Sequence, residues 1–445
     1  MTNARERLDH FLVTIPQGHF VYTYPPHKIY PKIEGEFDFK KAWAETPAGD
    51  LNVYFHIPFC RQKCSYCNIE SIATKEGSPI TDRYLTALEN EMKLYRGSLD
   101  KFRIITVYIG GGTPSYLSEP QMERFLKSMN SLLVNTKGLE ELCIELSPDS
   151  ATEKKIEILK NYGTTRISLG IQSFDEDHIK TFNRKYDVDK LDYLLGLIKA
   201  NGFKNLNIDI IYGHPNQDFR MLEESLIRSL ASRPGTMSVY PLNVKPLTPF
   251  WEKIGPKGLD RTKIDQMYEF ARDFLLRHGY KQDTRLRFVL PTIGRYAYKD
   301  ETVKGKPVKG FGNAAQSYAE DVHYRPSYSV LHCRKDIEEY IEDIESGRHP
   351  ARYALFLNED EKMRRAIIMN IRHSSLSVLG FERKFGMAPQ NAFPEEFKVL
   401  LEEEMVFEDN AIIRLTEKGY KHENAISRLF FSEKVLGLQK NYVYE

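Results

Sequence analysis

The chain has 445 residues, a formal net charge of +1 and a pI of about 7.6. This near-neutral balance gives no electrostatic case for binding nucleic acid or a membrane surface. The chain lacks a run of the ~18 uninterrupted apolar residues that a spanning helix needs, and its first residues lack a signal-peptide core. With 41% hydrophobic residues and five cysteines, the composition is typical of a globular, cytoplasmic enzyme without a disulfide framework.

Residues 1–48 form an N-terminal arm rich in Tyr, Pro and His, and from residue 49 strand-like runs alternate with helical patterns. The sequence predicts six strands, at residues 51–57, 104–110, 142–146, 166–171, 205–213 and 237–244. Strands that alternate with helices form parallel sheets with helical crossovers. Six such units are too few to close a full barrel, so they predict an α/β fold with a partial (β/α)6 barrel of the TIM type over residues 49–285.

Two further segments follow the predicted barrel. Residues 286–350 form a basic connector that is expected to complete the core, and residues 351–445 form a mostly helical C-terminal domain. The connector region holds the cations Arg285, Arg287, Arg295, Lys299, Lys304, Lys306 and Lys309. At the barrel mouth these cations would favour a substrate with carboxylates or phosphates, but a solvent-exposed loop is the favoured interpretation. Residues 407–431 predict a hairpin followed by a helix, a winged-helix-like module that would act as a lid over the barrel mouth.

Three of the five cysteines crowd into one loop after the first predicted strand: Cys60, Cys64 and Cys67, spaced C-x3-C-x2-C. They are too close together for a sensible disulfide scheme, and their number is odd. A structural zinc site needs four ligands, and the sequence has no second C-x-x-C pair. Thiolates suit iron–sulfur clusters, and three thiolates on a four-iron cluster leave one iron open to nitrogen and oxygen ligands.

Other polar residues fall at the carboxyl ends of the following strands, where barrel enzymes carry their reactive groups. The run GGGTP (110–114) follows the second strand, Glu145 closes the third and Gln172 the fourth. Asp209 lies in the fifth strand, and Asn243 ends the sixth. Polar residues that arrive at one end of successive strands are hard to explain as solvated surface.

Several residues also have simpler structural interpretations. Glu145, Gln172 and Asp209 could each be a buried polar side chain that is paired inside the barrel. His56 could equally be a structural histidine or a neighbour of the cysteine trio. Cys143 is interpreted as a small core residue, and Cys333 is given no role in the chemistry.

The ordered motifs resemble the radical S-adenosylmethionine (SAM) enzymes and, among them, the oxygen-independent coproporphyrinogen III oxidase (HemN-like) family. The resemblance rests on the cysteine spacing and on YFHIPFC, YIGGGTPS, ISLGIQSF, FNR, NIDIIYGHP and RLTEKGYKHENAISRLFF, and it spans about residues 50 to 435. It implies a [4Fe-4S] cluster on the three cysteines, with SAM on the open iron and cleaved to a 5′-deoxyadenosyl radical. It also implies a small-molecule substrate and an electron donor such as flavodoxin or ferredoxin, and a monomer is expected.

The resemblance further implies binding residues for two SAM molecules. Those matched to the first SAM are Tyr54, Gly111 and Glu145, and the glycines from Gly110 to Gly112 are expected to let the backbone approach its methionine moiety. His56, near the cluster, is predicted to be catalytic together with the three cysteines. Those matched to the second SAM are Tyr66, Gly112, Thr113, Gln172, Arg184 and Asp209, and Asn243 is added as a further cofactor-binding residue. Thr113, Gln172, Arg184 and Asp209 are expected on the side of the barrel away from the cluster loop.

The sequence departs from the family at points that bear on the reaction. Coproporphyrinogen oxidases of this type carry a further cysteine two places after the trio, where this chain has Ile69. The heme-carrying branch has a signature of His, Asn and Trp where this chain reads RLRFVLPTIGRYAY, and YTYPPHK in the arm resembles HemN-like methylases and cyclopropanases. The sequence therefore favours methyl or methylene transfer from a second SAM to an unsaturated carbon. Oxidative decarboxylation of a porphyrinogen and a heme-binding carrier are the alternatives, and a DNA-binding role for the C-terminal module is not expected.

Overall fold

The structure is a computed structural model that describes residues 3–15, 21–35, 37–133, 136–255 and 258–440. Parts of the predicted arm (residues 1–2, 16–20 and 36) and of the predicted C-terminal domain (441–445) lie outside the described residues. The strands are β1 (Gly49–Ile57), β2 (Phe59–Cys60), β3 (Ile72–Ala73), β4 (Phe102–Gly111), β5 (Glu141–Leu146), β6 (Arg166–Gln172), β7 (Asn205–Tyr212), β8 (Thr236–Pro241), β9 (Lys281–Gln282), β10 (Arg287–Val289), β11 (Val308–Phe311), β12 (Ser317–Tyr318), β13 (Val322–Arg325), β14 (Tyr353–Phe356), β15 (Leu376–Ser377), β16 (Val406–Asp409) and β17 (Ile412–Leu415).

The helices alternate with these strands through most of the chain. They are α1 (Ala4–Thr14), α2 (Phe39–Glu45), α3 (Pro79–Leu94), α4 (Glu119–Leu132), α5 (Glu153–Asn161), α6 (Glu176–Thr181), α7 (Leu191–Ala200), α8 (Phe219–Ala231), α9 (Pro249–Ile254), α10 (Arg261–Arg277), α11 (Ala297–Val303), α12 (Cys333–Glu345), α13 (Glu359–Arg372), α14 (Val378–Phe385), α15 (Pro389–Ala392), α16 (Pro394–Glu402), α17 (Glu417–Lys421), α18 (Glu423–Leu429) and α19 (Glu433–Lys440). None of the described helices is long and apolar enough to cross a membrane.

The six predicted barrel strands are all present, and they lie side by side in one sheet. Strands β1, β4, β5, β6, β7 and β8 are parallel neighbours in that order, with helices in the connections. The predicted partial (β/α)6 barrel is therefore confirmed. The prediction was wrong about the end of the sixth strand, because β8 stops at Pro241, opposite the last residue of β7, Tyr212. Asn243 consequently lies in the loop beyond the strand.

Strand β1 shows how the alternating pattern fixes the two faces of the barrel wall. Leu51, Val53 and Phe55 are fully buried in the main hydrophobic core. Tyr54 and His56, on the alternate positions, make polar contacts with each other. Because successive side chains of a strand point to opposite faces, the polar residues of each barrel strand share the inner face.

The basic connector extends the sheet at both edges and is not a solvent-exposed loop. Strand β11 pairs in parallel with β1, and β12 and β13 continue the sheet to β14 of the C-terminal region, while β10 pairs antiparallel with β8. Among the connector cations, Arg285, Arg287 and Lys309 are buried. Lys309 makes a buried ion pair with Glu91 at 3.3 Å. Exposed sheet edges invite unwanted pairing, so covering them gives the connector a structural role.

The C-terminal region has its own core, which the N-terminal arm completes. Strand β17 pairs antiparallel with β16 and β15 in a small sheet, and α17 and α18 follow it, as the winged-helix-like prediction requires. Leu8 of helix α1 is fully buried in the same hydrophobic cluster as Leu400 and Ile426. The arm and the C-terminal region thus share one core. The exact domain boundaries remain a prediction.

Candidate functional site

Cys60 is the last residue of β2, and Cys64 and Cys67 lie in the loop that connects β2 to β3. The Cys67 amide donates to the Cys64 carbonyl at 3.1 Å, so these two residues share a tight turn. Burial, and then the neighbouring Cys64 thiol, raise the pKa of Cys67 to about 12. Thiols held this close repel one another once ionised, and a bound metal reverses that effect by stabilising the thiolates.

The trio fits an iron–sulfur cluster better than a single metal ion. No three His, Cys, Asp or Glu side chains in the described part of the chain are placed to hold one ion. A four-iron cluster does not require such convergence, because each thiolate binds a different iron. The neighbouring backbone leaves room, since a Cβ at Gly112 would lie 2.9 Å from the sulfur of Cys60. Cys60, Cys64 and Cys67 are therefore the residues that could hold the cluster.

The glycine run after β4 lets the backbone pass directly against the site. A Cβ at Gly110 would lie 2.9 Å from the Tyr108 ring and 3.1 Å from the Glu145 carboxyl carbon. Gly111 has φ +116°, which L side chains rarely adopt, and a Cβ there would lie 2.9 Å from the His56 ring. Only glycine fits these positions without a shift of the neighbouring side chains.

Glu145 is held at the end of β5 by two hydrogen bonds. The Tyr108 hydroxyl donates to its Oε1 at 2.6 Å, and the Gly111 amide donates to its Oε2 at 3.2 Å. Burial and the nearby Asp209 carboxylate raise the pKa of Glu145 to about 7. The Tyr54 ring stacks on Tyr108 at a centroid distance of 6.1 Å. Tyr108 was not among the predicted site residues, although it lies only two residues before the glycine run.

His56 has the contacts of a structural histidine. Its Nε2 donates to the Glu70 carbonyl at 2.9 Å, so its Nδ1 accepts from the Tyr54 hydroxyl at 3.1 Å. Burial lowers its pKa to about 4, which keeps the ring neutral. With both nitrogens engaged, the ring orients Tyr54 and holds the end of the cysteine loop at Glu70. The geometry thus favours the structural alternative, while a catalytic role remains a prediction.

Arg184 and Thr113 contact the cysteine loop, so their expected position away from it was wrong. Thr113 Oγ1 lies 3.4 Å from the Cys60 sulfur, and Arg184 Nη1 lies 3.5 Å from the Cys64 sulfur. Arg184 reaches the loop because its Nη2 donates to Ser147 Oγ and to a backbone carbonyl, each at 2.7 Å. Its Nε is buried and has no hydrogen-bond partner among the described residues. The Tyr66 hydroxyl lies 3.4 Å from Arg184 Nη1.

Gln172 and Asp209 lie on adjacent strands at the inner face. Gln172 has φ +75° at an irregularity in the pairing of β6 with β7, and this brings its side chain over Gly170. Asp209 is paired with Gly170 in the strand register and accepts from Asn207 at 2.8 Å. Burial raises the pKa of Asp209. Asn243, in the loop beyond β8, is half-buried.

The two remaining cysteines lie apart from the trio's turn. Cys143 is buried and receives a hydrogen bond from Arg166 Nη1 at 3.2 Å, in agreement with a core position. Cys333 is also buried, and its thiol donates to the Ser329 carbonyl at 3.0 Å. Lys63 of the cysteine loop approaches the Cys333 sulfur at 4.0 Å.

A cationic patch, made of Lys299, Arg287 and Arg372, adjoins the tyrosines of the site. Tyr298 of helix α11 packs on Tyr108 with a centroid distance of 5.2 Å. The side-chain amine of the next residue, Lys299, makes no hydrogen bond or ion pair with any described residue, although its backbone carbonyl accepts from the Thr302 hydroxyl at 2.9 Å. Burial and then the charges of Arg372 and Arg287 lower the pKa of Lys299 to about 7. Sequence reasoning named Lys299 only as one of many connector cations and could not find Arg372, which comes from α13.

The fold and the cysteine loop can be compared with those of known proteins. The sequence matches the radical SAM superfamily over residues 54–227. It is 28% identical to the heme chaperone HemW of Bacillus subtilis over 387 residues, which covers 86% of this chain and 99% of that protein. It is 26% identical to the oxygen-independent coproporphyrinogen III oxidase of Escherichia coli over 410 residues, which covers 89% of each.

A solved structure shows the same fold. The coproporphyrinogen III oxidase (HemN) of Escherichia coli, which is described as a radical SAM enzyme, superimposes with a TM-score of 0.81 and 24% identity over 94% of this chain and 97% of that one. The chain is thus related to the coproporphyrinogen oxidases and heme chaperones, and its cofactors are a [4Fe-4S] cluster and SAM.

Proposed function

We propose that the chain is a radical SAM enzyme of the coproporphyrinogen-oxidase type, which removes hydrogen from a tetrapyrrole that bears carboxylates. The observation that carries the proposal is the position of Lys299, a cation without an ion-pair partner among the described residues, one residue after the tyrosine that packs on Tyr108. Tyr298 packs on Tyr108, which donates to Glu145, so helix α11 borders the predicted SAM residues and would bring a substrate carboxylate at Lys299 to that side of the barrel. The curated relatives named as coproporphyrinogen oxidases support this substrate class.

In this proposal the cluster and SAM, when bound, supply a radical that abstracts one hydrogen atom from a substrate side chain. Cys60, Cys64 and Cys67 would hold the cluster, and Glu145 would accept a hydrogen bond from SAM. The Tyr54, Tyr108 and Tyr298 rings, which pack against one another, would exclude water from the reacting carbon. Loss of carbon dioxide from the substrate radical would leave an alkene and one electron, which an external acceptor must take.

A heme chaperone is the second candidate, and a specific residue favours it. Ile69 stands where coproporphyrinogen oxidases of this type are expected to have a cysteine, and its side chain is exposed. Relatives named as heme chaperones match this chain over almost their whole length. Heme also carries carboxylates, so the patch at Lys299 suits both candidates.

Carbon transfer from a second SAM has no support among these relatives. The residues assigned to a second SAM include Thr113 and Arg184, which lie against the cysteine loop, where they would also suit the first SAM. We therefore place decarboxylation before carbon transfer, and the products of the reaction must decide between these two reactions.

The deciding experiment supplies the anaerobically reconstituted protein with SAM, a reductant and coproporphyrinogen III. The proposal expects 5′-deoxyadenosine and carbon dioxide. It also expects Lys299→Met to reduce both, whereas Lys304→Met, which removes an exposed lysine paired with Glu301, should leave them unchanged. S-adenosylhomocysteine with an alkylated product would establish carbon transfer instead. Tight heme binding without substrate-dependent cleavage would establish the chaperone.

A further inference from the structure

A cationic cavity lies between the sheet extension and helix α13, and its lining residues do not include those assigned to SAM or to the cluster. It has a volume of about 50 Å³. A single water needs roughly 10–15 Å³ on this measure, so the cavity has room for a few waters or one small oxyanion group. Its polar and charged wall residues include Tyr318, Glu320, His323, Lys362, Arg365 and Lys384.

Arg365 is the unusual member of this wall. It is only 8% exposed, its Nε is buried without a hydrogen-bond partner, and its guanidinium forms no ion pair with any described residue. Its contact is with the face of the Tyr318 ring, 5.4 Å from the centroid. A buried guanidinium that has lost water without gaining an anion is costly, so folded proteins normally pair it.

The rest of the wall adds positive charge and does not supply an ion-pair partner for the Arg365 guanidinium among the described residues. Lys384 has no ion-pair partner among the described residues. Lys362 is already engaged by Asp321 and by Glu359, the latter at 2.8 Å. One carboxylate, Glu320, also lines the cavity but does not form an ion pair with Arg365.

Neighbouring side chains hold the guanidinium in place without competing for an anion. The Tyr318 ring lies 4.5 Å from the His323 ring, and His323 Nδ1 lies 3.3 Å from the Tyr30 hydroxyl. Burial keeps the pKa of His323 well below its ordinary value, so this ring is neutral. Ala366, the residue after Arg365, also lines the cavity and leaves it open.

We propose that this cavity is an oxyanion-binding site in which Arg365 receives the carboxylate or phosphate group of a small molecule. The planar fork of arginine suits two oxygens of either group. Lys304, the residue that follows helix α11, also lines the cavity, so the site lies at the end of the helix that carries Lys299. The inference needs neither radical chemistry nor a tetrapyrrole substrate, and its test is independent of both.

The test measures binding of inorganic phosphate and of succinate to the full-length reconstituted protein by calorimetry at constant ionic strength. The expected result is saturable binding of at least one of the two anions, weakened at least tenfold by Arg365→Gln. Arg364→Gln is the matched control, because it removes the adjacent arginine of α13, which is paired with Asp360 at 2.8 Å. Phosphate binding alone would identify a phosphate site, and succinate binding alone a carboxylate site. Equal affinity in wild type and Arg365→Gln, or no binding of either anion, would overturn the proposal.

A second measurement keeps the proposal falsifiable if Arg365→Gln does not fold. Wild-type crystals soaked in selenate should show an anomalous peak within hydrogen-bonding distance of the Arg365 guanidinium. Selenate peaks elsewhere with none in this cavity would contradict the site.

Discussion

At the scale of single residues, the site depends on pairs that strand alternation does not reveal. Sequence reasoning could find Glu145, because a carboxylate at a strand end is conspicuous. It could not find Tyr108, because the position of a tyrosine in a strand predicts which face of the sheet its side chain occupies but not which residue it contacts. Arg184 was found by resemblance, but its position was not, since Ser147 and Gly170 from other segments hold it against Cys64.

The raised pKa of Glu145 gives the first prediction. Below about pH 7 this carboxyl is protonated and neutral, and above it the carboxylate can accept from the ammonium or hydroxyls of SAM. SAM affinity of the reconstituted protein should therefore rise as the pH increases through 7. Glu145→Gln should remove this dependence and cost ~1.5–3 kcal/mol above pH 7, about ten- to a hundredfold in Kd.

Equilibrium dialysis against labelled SAM measures this effect at each pH. Glu157→Gln, an exposed change on α5, is the control and should behave as wild type. An unchanged pH dependence in Glu145→Gln would show that another group binds SAM.

The lowered pKa of Lys299 gives the second prediction. At pH 8 this amine is mostly neutral, because its pKa is about 7 instead of 10.5. An anionic ligand beside it favours the charged form and raises the pKa, so binding should take up close to one proton at pH 8. The charged and titratable groups that interact electrostatically with Lys299 are Arg287, Arg365, Arg372, Asp283 and His373.

Calorimetry of coproporphyrin binding in buffers of different ionisation enthalpy measures this uptake. Lys299→Met should abolish it, and Lys304→Met should retain it. Proton uptake that persists in Lys299→Met would place the anion elsewhere.

At the scale of elements, the sequence predicted the six barrel strands well and the additional strands poorly. The barrel strands are long and alternate regularly, so their faces could be assigned from the sequence alone. Strands β9 to β14 have two to four residues each and depend on pairing with distant edges, which no local pattern encodes. The connector was therefore interpreted as an exposed loop.

The third prediction tests the glycine run. Gly112→Ala would place a Cβ 2.8 Å from the Phe59 carbonyl and 2.9 Å from the Cys60 sulfur, so the cysteine loop must shift. We expect iron content after reconstitution to fall by more than half. Gly196→Ala, in helix α7 with open space around it, should keep full iron and gain about 1 kcal/mol of stability. Full iron content in Gly112→Ala, measured by iron and sulfide assay, would show that the loop tolerates the shift.

At the scale of the whole molecule, the two ends of the chain are tied together. The N-terminal helix buries its apolar face in the C-terminal core, so the arm is a structural part of the region that packs beside the barrel. The sequence could predict a winged-helix-like hairpin and helix, but not this partner, because contacts between the chain ends leave no periodic signal.

The fourth prediction follows from that shared core. Leu8→Ala should lower the free energy of unfolding of the C-terminal region by about 2–5 kcal/mol, since Leu8 is fully buried. Val13→Ala, at an exposed position of the same helix, should change it by less than about 0.5 kcal/mol. Urea unfolding followed by far-UV circular dichroism compares the two. Equal effects would mean that α1 does not dock in solution.

The central claim is that Cys60, Cys64 and Cys67 hold a four-iron cluster that supports SAM cleavage. The most direct measurement is iron, sulfide and 5′-deoxyadenosine in the anaerobically reconstituted wild type, Cys64→Ala and Cys333→Ala. The account predicts about four iron and four sulfide per chain, with SAM cleavage, in wild type and in Cys333→Ala, and the loss of both in Cys64→Ala. Zinc as the bound metal, or a full cluster with SAM cleavage in Cys64→Ala, would contradict it.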